Sequence, residues 1–449
     1  MKDLLSDAHA RSVRYLESLS DRPVQPDDDA VSRLSALEVP FPQGPAPPAE
    51  VLRRLDELGS PATIANAGPR YFGFVTGGAL PVSLAANWLA TAWDQNAHFV
   101  VGSPIAAALE NVSLSWVRDI LELPDTWGGG FVTGTTMGNF SGIVAGRHAV
   151  LKRAGWDVEA NGLFGAPEVQ VVVGEEAHTT LLQALALAGF GRERVVTVPV
   201  DDQGRMIADA VPELTGPAIV CLQAGNVNSG GFDSIPKICA DIAGRDDVWV
   251  HLDGAFGLWA KASPNYAHLV EGLAQVDSIA TDLHKWLNVP YDSGLALYRD
   301  PDSARNALSI TAAYLPQGED RQPCDYTPES SRRARGVEIW AALASMGRSG
   351  LAELIDRNCR YAQRFATGLH DAGFEILNDV VVNQVLVSFG GDAHTKDVVT
   401  AIQKEGTCWC SGTTWKGRAA MRISVSSWAT TEDDVEQSLA AIVRVASPH

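Results

Sequence analysis

Val248-Trp-Val-His-Leu-Asp253-Gly-Ala-Phe-Gly257 is an apolar, β-branched run that stops on a carboxylate and passes at once into small residues. Near-continuous apolarity over so short a span marks a strand buried on both faces. Similar runs occur at residues 169–173, 195–200 and 218–222, each separated from the next by a helix-sized stretch. Strands and helices in alternation predict a mostly parallel, doubly wound α/β sheet with helices on both faces. In such a sheet ligands gather beyond the carboxyl ends of the strands. Residues with chemistry to offer should therefore stand just after these runs.

They do. Asp253 closes its strand, and a buried carboxylate is expensive unless it faces a cation. Three partners fit at this point: a protonated ring nitrogen of a ligand, a magnesium ion, or an ordinary salt bridge. A second run, Asp277-Ser-Ile-Ala-Thr-Asp-Leu, leads into His284-Lys285-Trp286, and residues 295–298 form another apolar strand. A lysine beside an aromatic ring in an apolar setting is costly to keep charged. A neutral amine is the form that joins an aldehyde, and a partly exposed salt bridge is the plainer alternative.

Thr133-Gly-Thr135-Thr136-Met-Gly-Asn139 lies between a strand-like Gly130-Phe-Val and a helix over residues 140–151. Hydroxyls and free amides at a helix start suit a phosphate, although an N-cap threonine reads equally well. The Gly-Lys-Ser/Thr ending of a nucleoside triphosphate loop is missing. His178 follows the run at 169–173, where an imidazole either stacks on a flat ring or caps the next helix. Asn226 and Asn228 sit in a glycine-rich loop that allows close approach of backbone to a ligand.

The composition narrows the class. Across 449 residues, 46% are hydrophobic, which supports a large core in two or three structural units. A formal net charge of −19 argues against binding a nucleic-acid backbone. The six cysteines follow no repeating frame, and Cys408-Trp-Cys410 lacks the spacing of a zinc or redox pair, so no metal is expected. Reduced thiols and a first segment without a signal-like apolar core lead to a cytoplasmic expectation. The longest apolar stretch, residues 181–190, is too short to span a bilayer.

Residues 3–19 repeat apolar positions at helical spacing and are followed by proline-rich connectors. An apolar helical face placed so early needs a cover, and a second subunit is the expected one. Tyr71-Phe-Gly-Phe74, Trp93, His98 and Phe99 either belong to the core or wall a pocket for a flat ligand. The domain expectation is an N-terminal helical dimerisation segment at 1–78, a large α/β domain at 79–335 and a small α+β domain at 336–449. The last hundred residues read as helix, strand, helix, strand, helix.

With these residues in place, the sequence resembles the group II pyridoxal phosphate-dependent decarboxylases, which act on aromatic L-amino acids, glutamate and histidine. His284-Lys285-Trp286-Leu287 looks like that family's cofactor-lysine motif, and His251-Leu-Asp253-Gly-Ala255 like its ring-nitrogen motif. The resemblance runs over nearly the whole chain. It implies the fold type I architecture of pyridoxal phosphate enzymes, a homodimer, and loss of the α-carboxylate as carbon dioxide. It further implies that Lys285 joins the cofactor's aldehyde, Asp253 pairs with its ring nitrogen, His178 and Ala255 cover its two faces, and Thr135 and Thr136 bind phosphate. Asn226 would lie near the ring oxygen, where relatives often carry threonine, and His284 would join the phosphate or carboxylate network. Tyr314 matches a loop tyrosine that returns a proton to Cα. Arg422 matches an arginine that holds a substrate carboxylate, with a structural salt bridge as the alternative. Tyr71, Phe74 and His98 are the candidate walls for the substrate side chain. An aromatic substrate is expected over an acidic one. Transamination, decarboxylating aldehyde formation and cofactor binding without turnover are the rival outcomes.

Overall fold

The computed structural model describes residues 1–309 and 321–447. The chain divides into two compact units, one of residues 79–360 and 378–384, the other of residues 1–78, 361–377 and 385–449.

The larger unit is built on seven strands: β1 (Gly128–Val132), β2 (Gln170–Gly174), β3 (Val196–Val198), β4 (Ala218–Gln223), β5 (Val248–Asp253), β6 (Ser278–Asp282) and β7 (Gly294–Tyr298). Their order is β1-β7-β6-β5-β4-β2-β3. β7 runs antiparallel to both neighbours, and every other adjacent pair is parallel. Strands β5, β6 and β7 are buried along their whole length, as near-continuous apolar runs require. The alternation of strands and helices therefore led to the right sheet.

One helix, Thr135–Arg153, determines how the site is assembled. It begins five residues earlier than residue 140, because Thr135 and Thr136 form its first turn and Gly134 its N-cap. Gly138, Gly142 and Gly146 recur every four residues along it. A Cβ on Gly146 would stand 2.6 Å from the Trp249 ring, one on Gly142 2.6 Å from the His251 ring, and one on Gly138 2.9 Å from the Ala280 Cβ. The absence of these side chains lets the helix lie directly on β5 and β6. Four helical residues advance about 6 Å and two strand residues slightly more, so the two repeats stay in step over this length. Trp249, His251 and Asp253 alternate onto the face beneath the helix, and Ser278, Ala280 and Asp282 do so on β6.

The smaller unit holds β8 (Glu375–Ile376), β9 (Gln384–Ser388), β10 (Ser411–Trp415) and β11 (Arg418–Ser424), in the order β10-β11-β9-β8. Two strands were expected in this region and four are present. β8 has only two residues, and β10 is an edge strand of small, polar residues with little apolar signal. The β10–β11 hairpin closes through Lys416 and Gly417, both at positive φ, which is the backbone a tight two-residue turn needs.

The N-terminal helix Lys2–Ser18 has no buried residue, and Leu5 is 60% exposed on it. Helix Pro48–Gly59, in the same unit, likewise buries none, and Arg11 is joined to Asp56 at 2.8 Å. All six cysteines are free, four of them buried. Among the described residues no helix is long and apolar enough to cross a membrane, and no group of three His, Cys, Asp or Glu side chains is placed to hold a metal ion.

Candidate active site

β5 and β6 are adjacent and parallel, with His251 opposite Ser278 and Asp253 opposite Ala280. Asp253 and Asp282 are consequently carried to the same carboxyl edge of the sheet, below the first turn of helix Thr135–Arg153.

Asp253 is buried, and its carboxylate accepts from Asn139 Nδ2 at 3.0 Å and from the Ala255 amide at 3.1 Å. Burial raises its pKa, while Asn139, the charges of His178 and Lys285, and the Ala255 amide pull the other way. No cation stands within ion-pair distance of it among the described residues. Ala255 also accepts the Asp282 amide through its carbonyl at 2.9 Å, which ties the two strand ends together.

Lys285 Nζ lies 2.8 Å from Asp282 Oδ2. The apolar neighbourhood expected for this lysine holds a buried carboxylate three residues earlier, so the partly exposed salt bridge is the form the structure shows. Trp286, the ring taken to shape that neighbourhood, instead sends its indole N–H to Asn358 at 2.9 Å. Asp282 Oδ1 accepts the Thr135 amide at 2.6 Å and lies 3.4 Å from His284 Nε2. Burial alone would raise the Asp282 carboxyl, but Lys285, His284 and the Thr135 amide together hold it below its usual range. His284 Nδ1 accepts the Ser293 amide at 3.1 Å, so the ring's proton faces Asp282. Burial lowers the His284 pKa more than Asp282 raises it.

Other expected residues divide into those that reach this edge and those with tasks elsewhere. Thr135 Oγ1 is buried with no hydrogen-bond partner among the described residues. Thr136 follows it in the same first turn. His178 caps helix Thr179–Leu187, its Nδ1 accepting from the Thr180 amide and contacting the Thr180 hydroxyl at 2.7 Å, and its charge is felt at Asp253. Asn226 is committed inside its own loop. Its Oδ1 accepts the Asn228 and Ser229 amides, and its Nδ2 donates to Gln223 and, at 3.5 Å, to the Glu176 carbonyl. A contact to a ring oxygen would have to displace one of these bonds. His98 hydrogen-bonds Ser330 at 2.8 Å, and burial followed by the charge of Arg332 lowers its pKa.

In the smaller unit Tyr71 stacks on Trp409 with centroids 5.0 Å apart, and Phe74 packs on the same indole while remaining 59% exposed. Arg422 is buried, with no acidic partner among the described residues, and burial brings it down to about 10. Tyr314 lies outside the described residues. Asp282 and Asn139 were missed in the sequence. The Asp-x-x-Lys spacing at a strand end was the available signal for Asp282, and Asn139 had none beyond its place in the first helical turns.

The residues present fit pyridoxal phosphate. An orphaned hydroxyl stands at a helix N-terminus, where phosphate is favoured. A buried carboxylate with no cation beside it among the described residues is available to a protonated ring nitrogen, and an amine sits one strand away. The family model described as the pyridoxal-dependent decarboxylase conserved domain matches residues 34–390. Tryptophan decarboxylase 1 of Oryza sativa subsp. japonica is 27% identical, over 94% of this chain and 89% of its own. Aromatic-L-amino-acid decarboxylase of Bacillus atrophaeus is 24% identical, over 94% and 90%. In fold, the chain is similar to the crystal structure of Oryza sativa TDC with PLP and tryptamine at a TM-score of 0.91, 23% identity, covering 99% of this chain and 97% of that one. A family match over most of the chain agrees with a lysine, two carboxylates and a phosphate-ready helix at one sheet edge, and this chain belongs to the pyridoxal-dependent decarboxylases.

Proposed function

We propose that this protein removes the α-carboxylate of an aromatic L-amino acid as carbon dioxide and releases the amine. The observation that carries it is the placement of Lys285 with Asp282 and of Asp253 with Asn139 at the ends of adjacent strands, beneath the Thr135 helix turn. Bound there, pyridoxal phosphate supplies an electron-withdrawing ring that takes up the pair left when the Cα–carboxylate bond breaks.

The chain's part is binding, orientation and proton placement. Lys285 would hold the cofactor through its aldehyde, and Asp282, held ionised by its surroundings, is the counter-charge beside that amine. Asp253 keeps a proton on the ring nitrogen. Thr135 and Thr136 bind phosphate through the first turn, and His284 orients Asp282. His178 and Ala255 cover the two ring faces. Asn226 shapes the loop after β4 and would reach the ring oxygen by giving up one of its Nδ2 hydrogen bonds. Tyr314 would be the donor of the proton that Cα takes up. Tyr71, Phe74 and His98 are assigned to the substrate side chain, and Arg422 to a substrate carboxylate, for which its planar fork is suited.

The aromatic preference is supported by the names of the relatives above and by the aromatic Tyr71–Trp409–Phe74 cluster. Reduced free thiols support a cytoplasmic setting. The exposed apolar positions of the first helices support a homodimer. The test is a panel of standard L-amino acids offered to the purified, cofactor-loaded protein, with carbon dioxide and amine both measured. Aromatic substrates are expected to turn over fastest, and Lys285→Ala to abolish release. A loaded protein that frees carbon dioxide from none of them overturns the reading.

A further inference from the structure

The buried face between β5, β6 and the glycine-bearing helix is polar along a single line, although an apolar filling would cost less there. Trp249 Nε1 meets Ser278 Oγ at 2.8 Å, Ser278 Oγ meets His251 Nδ1 at 2.8 Å, His251 Nε2 meets Asn139 Oδ1 at 2.9 Å, and Asn139 Nδ2 meets Asp253 Oδ2 at 3.0 Å.

Chemistry allows one direction only. An indole N–H can only donate, so Ser278 Oγ accepts from Trp249 and passes its own proton to His251 Nδ1. The His251 proton then sits on Nε2 and goes to Asn139 Oδ1. The Asn139 amide is left facing a carboxylate with its N–H, as an ionised Asp253 demands. Every link donates toward Asp253, and such chains strengthen each member. Burial pushes the His251 imidazolium down to about 3, so the ring stays neutral as this direction requires. The other charged or titratable groups that act on Asp253 are His178 and Lys285, and Cys221 on β4 feels its charge in turn.

We propose that Trp249, Ser278, His251 and Asn139 form a one-way hydrogen-bond chain that keeps Asp253 an anion against the cofactor's ring nitrogen, with His251 as a positioning residue. This rests on the cofactor reading above. Weakening the chain makes Asp253 a better proton acceptor, and the proton moves off the ring nitrogen.

The experiment reads that proton directly, by nitrogen-15 NMR of ring-labelled cofactor bound to the protein as pH is raised. His251→Phe should lower the proton affinity of the ring nitrogen by about tenfold, one pKa unit. Ser278→Ala, a deletion of one oxygen that the fold can absorb, should shift it the same way by less, and decides the matter if His251→Phe does not fold. Ser278→Thr keeps the hydroxyl and should restore the wild-type titration. Asp253→Asn is the control for the underlying reading. If it shifts the titration while His251→Phe and Ser278→Ala leave it in place, the chain is wrong and the cofactor site stands. If Asp253→Asn shifts nothing, the cofactor reading falls and the chain with it.

Discussion

Three groups converge on the Asp282 carboxylate: Lys285 Nζ at 2.8 Å, the Thr135 amide at 2.6 Å and His284 Nε2 at 3.4 Å. Asparagine at this position can still accept the amide but leaves the lysine without a counter-charge. Stripping one partner from a buried pair is strongly destabilising, and because Lys285 keeps some solvent contact the loss for Asp282→Asn should be about 2 kcal/mol in urea denaturation of the cofactor-free protein. Adding Lys285→Met should recover part of it, and strict additivity of the two changes would sink the coupling. Asp233 makes a prediction in pH. It is buried, it accepts the Met206 and Gln223 amides at 2.7 Å each, and burial raises it from 3.8 to about 6. A carboxyl whose folded pKa is raised binds its proton more tightly when folded. Its contribution is present in acid, declines as pH rises above about 4, and is gone once pH has passed 6. The shift of about 2 units corresponds to about 3 kcal/mol. The stability of wild type relative to Asp233→Asn should therefore fall between about pH 4 and pH 6, and a flat difference across that range would count against it.

Among the elements, helix Thr135–Arg153 leaves no room for a side chain at three of its glycines. Alanine is normally a better helix residue than glycine by about 1 kcal/mol. At Gly142 and Gly146 the new Cβ would stand 2.6 Å from the His251 and Trp249 rings, and overpacking of that kind costs about 1–3 kcal/mol. Gly142→Ala and Gly146→Ala should thus lower the urea midpoint. Gly350→Ala, in the helical segment that follows the break at Gly347 (φ 58°) and with its nearest contact at 3.4 Å, should raise it. A raised midpoint at all three positions would mean that propensity, not close approach, governs the helix. The same element shows what was readable beforehand. The buried strands announce themselves by apolarity, and Asp253 and Lys285 by falling just after them. That Asn139 reaches Asp253 depends on a helix and a strand advancing in step, and local spacing carries no record of which strand will lie beneath. Asp282 was overlooked for a related reason: Trp286 adjoins Lys285 in sequence, yet its ring turns toward Asn358. β10 was missed because a small, polar edge strand has little apolar content to reveal it.

At the scale of the whole molecule, the apolar faces of the N-terminal helices stand uncovered. Helix Lys2–Ser18 buries none of its residues and leaves Leu5 60% and Leu16 38% exposed, while helix Pro48–Gly59 leaves Val51 55% and Leu55 59% exposed. Scattered exposed leucines are ordinary on a monomer. Two helices of twelve residues or more with no buried residue on either are not, since packing of an apolar face supplies most of a helix's stability. A second copy of the chain would cover them, and the wild type should sediment as a dimer at micromolar concentration. Leu5→Asp combined with Leu55→Asp separates this from a defect in folding. Exposed positions usually tolerate substitution within about 0.5 kcal/mol, so the variant should keep its fold by circular dichroism. It should nevertheless sediment as a monomer, or dissociate at much higher concentration than wild type. A wild type that is monomeric under these conditions, or a variant that stays dimeric, would assign the apolar faces of these helices to something other than a second copy.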